Sequence, residues 1–152
     1  MRKAIIETLR FAAGAALALF CASSLAFPIF PPIDYSRTVV IEYWNEITGH
    51  YFLAADSFEE NFVETGGAGP GWHRTGFKFN AYVPNAHRAA GEVCRFYAPS
   101  PNTHFYSANP DECRLLQDHP EYGWIAEGTK FEIAVPASGA CAVGLVPIHR
   151  YY

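Results

Sequence analysis

The chain has 152 residues, a net charge of −4 at neutral pH and an aromatic content of 16%. An acidic chain in which Lys and Arg do not cluster has no electrostatic footprint for nucleic acid, and its charge also disfavours binding to anionic lipid. The length suits one domain with a sizeable core, to which the aromatic side chains contribute a large apolar area.

Residues 1–26 have the pattern of a secretory signal peptide. Positive charges come before residue 11, residues 11–21 form an uncharged apolar core, and Ser24 and Ala26 place small side chains at the two positions that signal peptidase inspects. Cleavage after Ala26 predicts a mature chain of residues 27–152 that is secreted or periplasmic and is not attached to a membrane.

Two alternatives to cleavage stay open. The uncharged run extends from Phe11 to Ile33, which is long enough to span a bilayer as an uncleaved anchor, although serines and prolines interrupt its second half. A lipoprotein modified at Cys21 is disfavoured because the bulky Phe20 precedes the cysteine. Residues 27–37 then form a Pro-rich lead into the domain.

Residues 38–84 predict a first structural unit of strand, strand, short helix and one or two further strands. Residues 39–54 have the β-branched and aromatic composition of two strands joined by a turn. Asp56 has the pattern of a helix N-cap, with the acid Glu59 three residues later, and residues 72–83 return as strand after a Gly-rich loop.

Residues 91–136 repeat this pattern as a second unit. The matched positions lie 52 to 54 residues apart, and they are Tyr43 and Phe96, His50 and His104, Trp72 and Trp124, and Gly76 and Gly128. Asn109 takes the capping position, Pro110 the first helical position, and Glu112 the place of the capping acid. A repeat of this length builds one domain from units that cannot bury their apolar faces separately.

We therefore predict an α+β, mostly β fold in which tandem strand-strand-short helix-strand repeats pack pseudo-symmetrically as one small domain, residues 38–152. Residues 144–152 restate the first strand of a truncated third unit, in which Arg150 matches Arg95. Such a strand presents unpaired backbone groups. Two interpretations follow: a truncated gene, or a protein that completes itself by self-association through its C-terminal strand.

The cysteine count predicts one disulfide and one unpaired thiol. Cys21 leaves with the signal peptide, so Cys94, Cys113 and Cys141 enter an oxidising compartment. The hairpin after Cys94 returns the chain towards Cys113, and the first unit lacks cysteine at both matching positions. This pair is therefore the predicted disulfide, and Cys141 lacks a partner.

The pattern V-C-R-F-Y … H-F-Y-S-A-N-P-D-E-C … G-W … E-G … F in residues 93–131 resembles a family of secreted bacterial and fungal repeats that is catalogued only as a domain of unknown function. The resemblance covers residues 38–152. It implies an extracytoplasmic module, commonly three units long and often attached to secreted hydrolases, with binding of cell-surface material as its suspected role. It brings no catalytic residues. This chain departs from the pattern in its incomplete third unit and in having no attached enzyme domain.

The aromatic and histidine positions are the strongest candidates for a binding site. Successive side chains of a strand face opposite ways, so either Tyr43 and Phe96 or Trp44 and Tyr97 fill the core while the other pair reaches the surface. Exposed Trp and Tyr form platforms for sugar rings or partner side chains. The candidate binding residues are Trp44, His50, Trp72, Tyr97, His104 and Trp124. The competing interpretation is that helices or neighbouring units cover both faces.

His50 and His104 allow two interpretations. Each imidazole could bind a sugar hydroxyl or transfer protons near neutral pH. Alternatively, each closes its own hairpin by bonding a backbone carbonyl. Repetition favours this structural role, because a catalytic group is rarely needed once per unit.

No pattern in the sequence predicts a catalytic, metal or cofactor site. The histidines are scattered without H-E-x-x-H or C-x-x-C spacing, and Glu59 and Glu112 already serve as capping acids. No G-x-S-x-G occurs, and Gly66–Gly71 lacks the ending of a phosphate loop. We therefore predict no enzyme activity, no metal and no cofactor.

Three functions are weighed. The leading hypothesis is a non-catalytic module that binds carbohydrate or a cell-envelope polymer. The second is a structural or protein-interaction repeat that self-associates through its incomplete third unit. A hydrolase comes third.

Overall fold

The computed structural model describes residues 36–86, 90–136 and 138–150. Six strands and two helices follow one another as β1 (Arg37–Asn45), β2 (His50–Ala54), α1 (Ser57–Glu64), β3 (Trp72–Tyr82), β4 (Gly91–Ala98), β5 (Thr103–Ser107), α2 (Pro110–Asp118) and β6 (Ile125–Ile133). The predicted signal peptide, with Cys21, and most of the Pro-rich lead lie outside the described residues. Neither helix of the described ranges has the length and apolar character needed to cross a membrane.

The strands form one antiparallel sheet in the order β2-β1-β3-β6-β4-β5, so β1 to β3 make up one half of the sheet and β4 to β6 the other. The sheet curls until its two edge strands touch. The backbone N–H of Leu53 donates to the Tyr106 hydroxyl at 3.0 Å, and this hydroxyl lies 3.4 Å from the Leu53 carbonyl. The predicted mostly β fold with short helices is confirmed, and the pseudo-symmetry of the two units stays a prediction.

The pairing between β4 and β6 has two irregularities, and each leaves one residue of β6 without a ladder partner on β4. The ladder pairs on either side of the irregularities are Val93–Phe131 and Cys94–Thr129, then Arg95–Gly128 and Phe96–Ala126. Lys130 and Glu127 are the residues that this register skips. Gly128 stands between them with a φ of 78°, which glycine adopts without strain. Because bulges re-aim side chains, both skipped residues reach a cluster of charges described below.

The alternation of side chains along β1 and β4 separates core from surface. Tyr43 and Phe96 are 1% and 2% exposed, whereas Trp44 and Tyr97 are half-buried. The predicted alternation is confirmed, with Tyr43 and Phe96 as the core pair. The Tyr43 hydroxyl donates to Glu64 of α1 at 2.9 Å. Burial and this bond raise the pKa of Tyr43 to about 12.

The predicted N-caps of both helices are confirmed, since the Asp56 and Asn109 side chains each accept a backbone N–H of the first turn. Glu59 also reaches back to the backbone N–H that precedes the cap. The predicted matching role of Glu112 is wrong. Its carboxylate accepts a hydrogen bond from the Ser107 hydroxyl, because a hydroxyl stands where the first unit has a methyl group.

The predicted disulfide joins Cys94 of β4 to Cys113 of α2, with their Cα atoms 6.0 Å apart. This prediction is confirmed, and the bridge ties the second helix to the sheet. Cys141 is exposed and is a free thiol, as the sequence predicts.

The predicted first strand of a third unit is wrong for residues 145–150. This segment forms neither helix nor strand, and Val146 and Ile148 are 80% and 54% exposed. A strand needs ladder partners for its backbone groups, and the sheet order leaves this segment outside the six strands. Arg150 nevertheless contacts the second unit. Tyr151 and Tyr152 lie outside the described residues.

Candidate functional site

The six candidate binding residues are distributed over several regions of the domain. Three lie where the two hairpins meet, namely His50, Tyr97 and His104. Trp44 packs against Tyr51 with ring centroids 4.7 Å apart. Trp72 is half-buried, and its indole N–H donates to the Ala68 carbonyl at 3.2 Å. Trp124 lines an open groove on the second unit. Ligand binding by these residues stays a prediction.

The two repeated histidines stand at different places in their hairpins. His50 belongs to the ladder pair next to the turn, whereas His104 belongs to the following pair, opposite Tyr97. Thr103 takes the place next to the second turn. Each turn contains four residues, so His50 and Thr103, which are 53 residues apart, take equivalent ladder positions. The two histidines are 54 residues apart. The predicted equivalence of His50 and His104 is therefore wrong, since a shift of one residue turns a side chain to the opposite face.

Each histidine has a partner other than the predicted carbonyl of its own hairpin. The Nδ1 atom of His50 lies 3.0 Å from the carbonyl of Asn102, in the turn of the other hairpin. The Tyr97 hydroxyl donates to the side chain of the same Asn102 at 2.9 Å. His104 instead places Nε2 3.4 Å from the carboxylate of Glu127. Both histidines therefore help to hold the domain together, His50 by linking the two hairpins.

A cluster of charges lies between α1 of the first unit and the strands of the second. We call it the charged joint, and it consists of Glu59, Arg95, His104, Glu127 and Lys130. Arg95 places Nη2 2.7 Å from Glu59 and Nε 2.7 Å from Glu127. Its guanidinium also lies 5.0 Å from the centroid of the Phe52 ring. Lys130 adds a second positive charge 3.5 Å from Glu59.

Burial governs the electrostatics of the charged joint, because the Arg95 side chain is only 5% exposed. Desolvation acts to raise the pKa of Glu59, but the hydrogen bond and charge of Arg95 outweigh it and hold this pKa below its usual value. For His104, desolvation lowers the pKa to about 4, against the attraction of Glu127. The imidazole is therefore neutral at neutral pH.

Sequence reasoning missed the charged joint, although a signal for it was present. Arg95 recurs as Arg150 and Glu59 as Glu112, but the acids were assigned to helix capping. Arg95 engages both acids of the joint. No group of three or more His, Cys, Asp or Glu that could hold a metal occurs in the part of the chain that the structure describes.

The groove on the second unit has a volume of about 500 Å³ and lies beside α2 and the start of β6. Its walls are mostly apolar, and they include Pro99, Leu116, Pro120, Trp124 and Ile125. Gln117 adds an amide that both donates and accepts hydrogen bonds. The Trp124 ring packs against Phe105 at 5.8 Å, which fixes its orientation. Of the six predicted binding residues, Trp124 is the one that lines this groove.

Comparison with known proteins identifies the family of the chain. The model of a domain of unknown function, DUF5648, matches residues 26–152. This match agrees with the predicted resemblance as far as a domain of unknown function. No curated protein and no solved structure matches the chain.

Proposed function

Because the chain belongs to the family of DUF5648, a domain of unknown function, we propose a function from the geometry of its groove. The protein is a non-catalytic, secreted or periplasmic module that binds a glycan or another cell-envelope polymer. The open groove around Trp124 carries this proposal. The indole is a face on which the apolar side of a sugar ring can stack, and the Gln117 amide can bond a hydroxyl.

The location rests on the disulfide between Cys94 and Cys113, which is compatible with an oxidising compartment outside the cytoplasm. The signal peptide that the sequence predicts in residues 1–26 agrees with this location. We also propose that residues 38–84 and 91–136 are two equivalent units, which their common order of strands supports.

A glycan and peptidoglycan binding screen on residues 27–152 tests the proposed function. We expect weak binding that persists in EDTA, because an indole and an amide need no metal. Trp124→Ala should weaken the best ligand by about tenfold, since aromatic contacts contribute about 0.5–1.5 kcal/mol beyond area burial. Gln117→Ala should weaken ligand binding less, because only the hydrogen bond of the amide is lost.

Trp44→Ala is the matched control, because Trp44 is also a half-buried Trp but does not line the groove. The control should keep its affinity. Trp72→Ala and Tyr97→Ala should lower the thermal midpoint, since both rings pack inside the domain. A screen without any ligand, or an equal loss in Trp124→Ala and Trp44→Ala with both variants folded, would contradict the proposal.

The second candidate, a self-associating structural repeat, is favoured by the apolar segment near the C-terminus. Val143, Val146 and Ile148 are 106%, 80% and 54% exposed. Sedimentation velocity over a range of concentrations should show more association for residues 27–152 than for the same chain without residues 145–152. Equal monomeric behaviour of both at the highest concentration would remove this candidate.

A further inference from the structure

The same arrangement for holding an arginine side chain occurs in both units. It consists of an aromatic ring on the second strand and a carboxylate on the following helix. We call Phe52 with Glu59 the first socket, and Phe105 with Glu112 the second socket. Arg95 occupies the first socket and Arg150 the second.

The two sockets hold their arginines at similar distances. Arg95 places Cζ 5.0 Å from the ring centroid of the first socket and Nη2 2.7 Å from its carboxylate. Arg150 places Cζ 4.8 Å from the ring of the second socket and Nη2 2.9 Å from its carboxylate. Each contact pair combines a cation–π interaction with a charge-assisted hydrogen bond. Both socket residues recur at one spacing, 53 positions, so the sockets occupy the same places in the predicted repeat.

The occupants differ in how the chain presents them. Arg95 belongs to β4, and its side chain is 5% exposed. Arg150 belongs to residues 145–150, which form neither helix nor strand, and its side chain is 35% exposed. Its Nη1 donates to the Tyr106 carbonyl at 2.7 Å. The second socket thus holds its arginine by side-chain contacts, in the way that a binding site holds a ligand.

We propose that the second socket, together with the Tyr106 carbonyl, is a binding site for an arginine-bearing peptide segment. The segment is the C-terminal one of this sequence, whose Arg150 side chain fills the site within one chain, and a peptide of residues 144–152 binds the same site when supplied as a separate molecule. A guanidinium meets all three contacts because it has a flat face and a fork of donors, whereas the ammonium of lysine has neither. The socket ring Phe105 packs against Trp124 of the groove, but none of the three groups that contact Arg150 belongs to a residue that lines the groove.

The test adds a labelled peptide of residues 144–152 to a protein of residues 27–152 in which Arg150→Ala leaves the second socket without its own arginine. Fluorescence anisotropy should show saturable binding to this variant. The unsubstituted chain should bind the peptide at least about tenfold more weakly, because its own attached segment competes at a high effective concentration. A peptide in which Arg150→Lys replaces the guanidinium should bind at least about fivefold more weakly.

Two further variants separate the socket from general electrostatics. Adding Glu112→Gln to the Arg150→Ala chain should lower the affinity for the peptide by about tenfold, because a charge-assisted hydrogen bond is lost. Asp111→Asn removes the same charge one residue earlier on α2 and should leave the affinity within about twofold. Absence of binding to the Arg150→Ala chain would overturn the proposal, and so would equal binding of peptides with and without arginine.

Proteolysis of the unsubstituted chain gives a measurement that needs no Arg150 variant. Trypsin must take the arginine side chain into its own pocket, so cleavage after Arg150 is slow while the second socket holds it. Mass spectrometry should show cleavage at least about tenfold slower than in the free peptide, in line with a mostly occupied site. Glu112→Gln should accelerate it. Equal rates in the chain and in the peptide would also overturn the proposal.

Discussion

The two helices of the domain are fastened to the sheet by different chemistry. Arg74 of β3 forms an ion pair with Glu64 of α1, and the buried Tyr43 donates a hydrogen bond to the same carboxylate. The second helix is fastened by the covalent bridge between Cys94 and Cys113. At the places of these two cysteines the first unit has an isoleucine and a glutamate.

A helix of this domain can thus be attached to the sheet either by an ion pair and a hydrogen bond or by a disulfide. Exposed ion pairs contribute little and weaken with salt, whereas a disulfide lowers the entropy of the unfolded chain. We therefore expect α1 to open before α2 in denaturant. The charged joint reduces the difference between the two helices, because the ion pair of Arg95 with Glu59 ties α1 to the strands of the second unit.

The largest expected effect comes from breaking the charged joint. Arg95→Met should lower the free energy of unfolding by about 3–5 kcal/mol, because it leaves the carboxylate of Glu59 with little exposure and without its main partner. Urea denaturation measures this loss. Arg114→Met, on an α2 side chain that is 68% exposed, is the control and should change stability by less than about 0.5 kcal/mol. Equal stability of the two variants would show that the joint does not couple the units.

Removal of the disulfide is expected to have the next largest effect. Replacing both Cys94 and Cys113 by Ser should cost about 3 kcal/mol, as expected for a closed loop of this size. Hydrogen exchange should show the loss of protection in α2 before α1, which reverses the order expected for the oxidised chain. Cys141→Ser, at an exposed free thiol, is the control. Greater loss in α1 than in α2 would contradict the assignment.

The strands, caps and disulfide could be predicted because each depends on residues close together in the sequence. Asp56 and Asn109 cap their own helices, and the Cys94–Cys113 bridge closes one hairpin and one helix turn. The charged joint could not be predicted in the same way. Glu127 reaches Arg95 from a bulge of β6, and a sequence pattern does not fix where a ladder skips a residue.

The wrong predictions have a related physical cause. Matching His50 to His104 by letter ignores the ladder, which pairs residues by their distance from the turn. The apolar pattern of residues 145–150 is typical of a strand, but a strand forms only where a neighbour supplies hydrogen-bond partners. The groove beside Trp124 depends on how α2 lies against β6, which local sequence does not determine.

A smaller effect is expected from His104 as the pH is lowered. The imidazole has a pKa of about 4 in the folded chain, against 6.5 as its ordinary value. Between these values the unfolded chain binds more protons, so stability falls as the pH drops, by an amount on the order of 2 kcal/mol. Glu59, whose pKa is lowered, adds a loss in the same direction only below its ordinary value of 4.5.

Urea midpoints measured from about pH 7 to about pH 4.5 test this dependence. His104→Gln should flatten the slope in that window, because an amide does not titrate. His73→Gln, on a side chain that is 60% exposed, is the matched control. An unchanged slope in His104→Gln would show that other groups cause the pH dependence.

The smallest effect should come from the fastening of the first helix. Tyr43→Phe removes the hydroxyl that donates to Glu64 and leaves the buried ring in place. We expect a loss of about 1 kcal/mol, the usual net contribution of one hydrogen bond. Tyr122→Phe, on a ring that is 56% exposed, is the control and should be neutral. A loss as large as that of the disulfide would mean that the two fastenings are equivalent in strength.

The contact of Tyr106 with Leu53 has a consequence for solubility. Edge strands expose backbone donors and acceptors that recruit strands of other molecules and so begin aggregation. Here a single phenol hydroxyl engages both the N–H and the carbonyl of Leu53 on β2, as an adjacent strand would do. The curled sheet thus protects an edge without closing into a continuous ladder, by means of one side chain from its opposite edge.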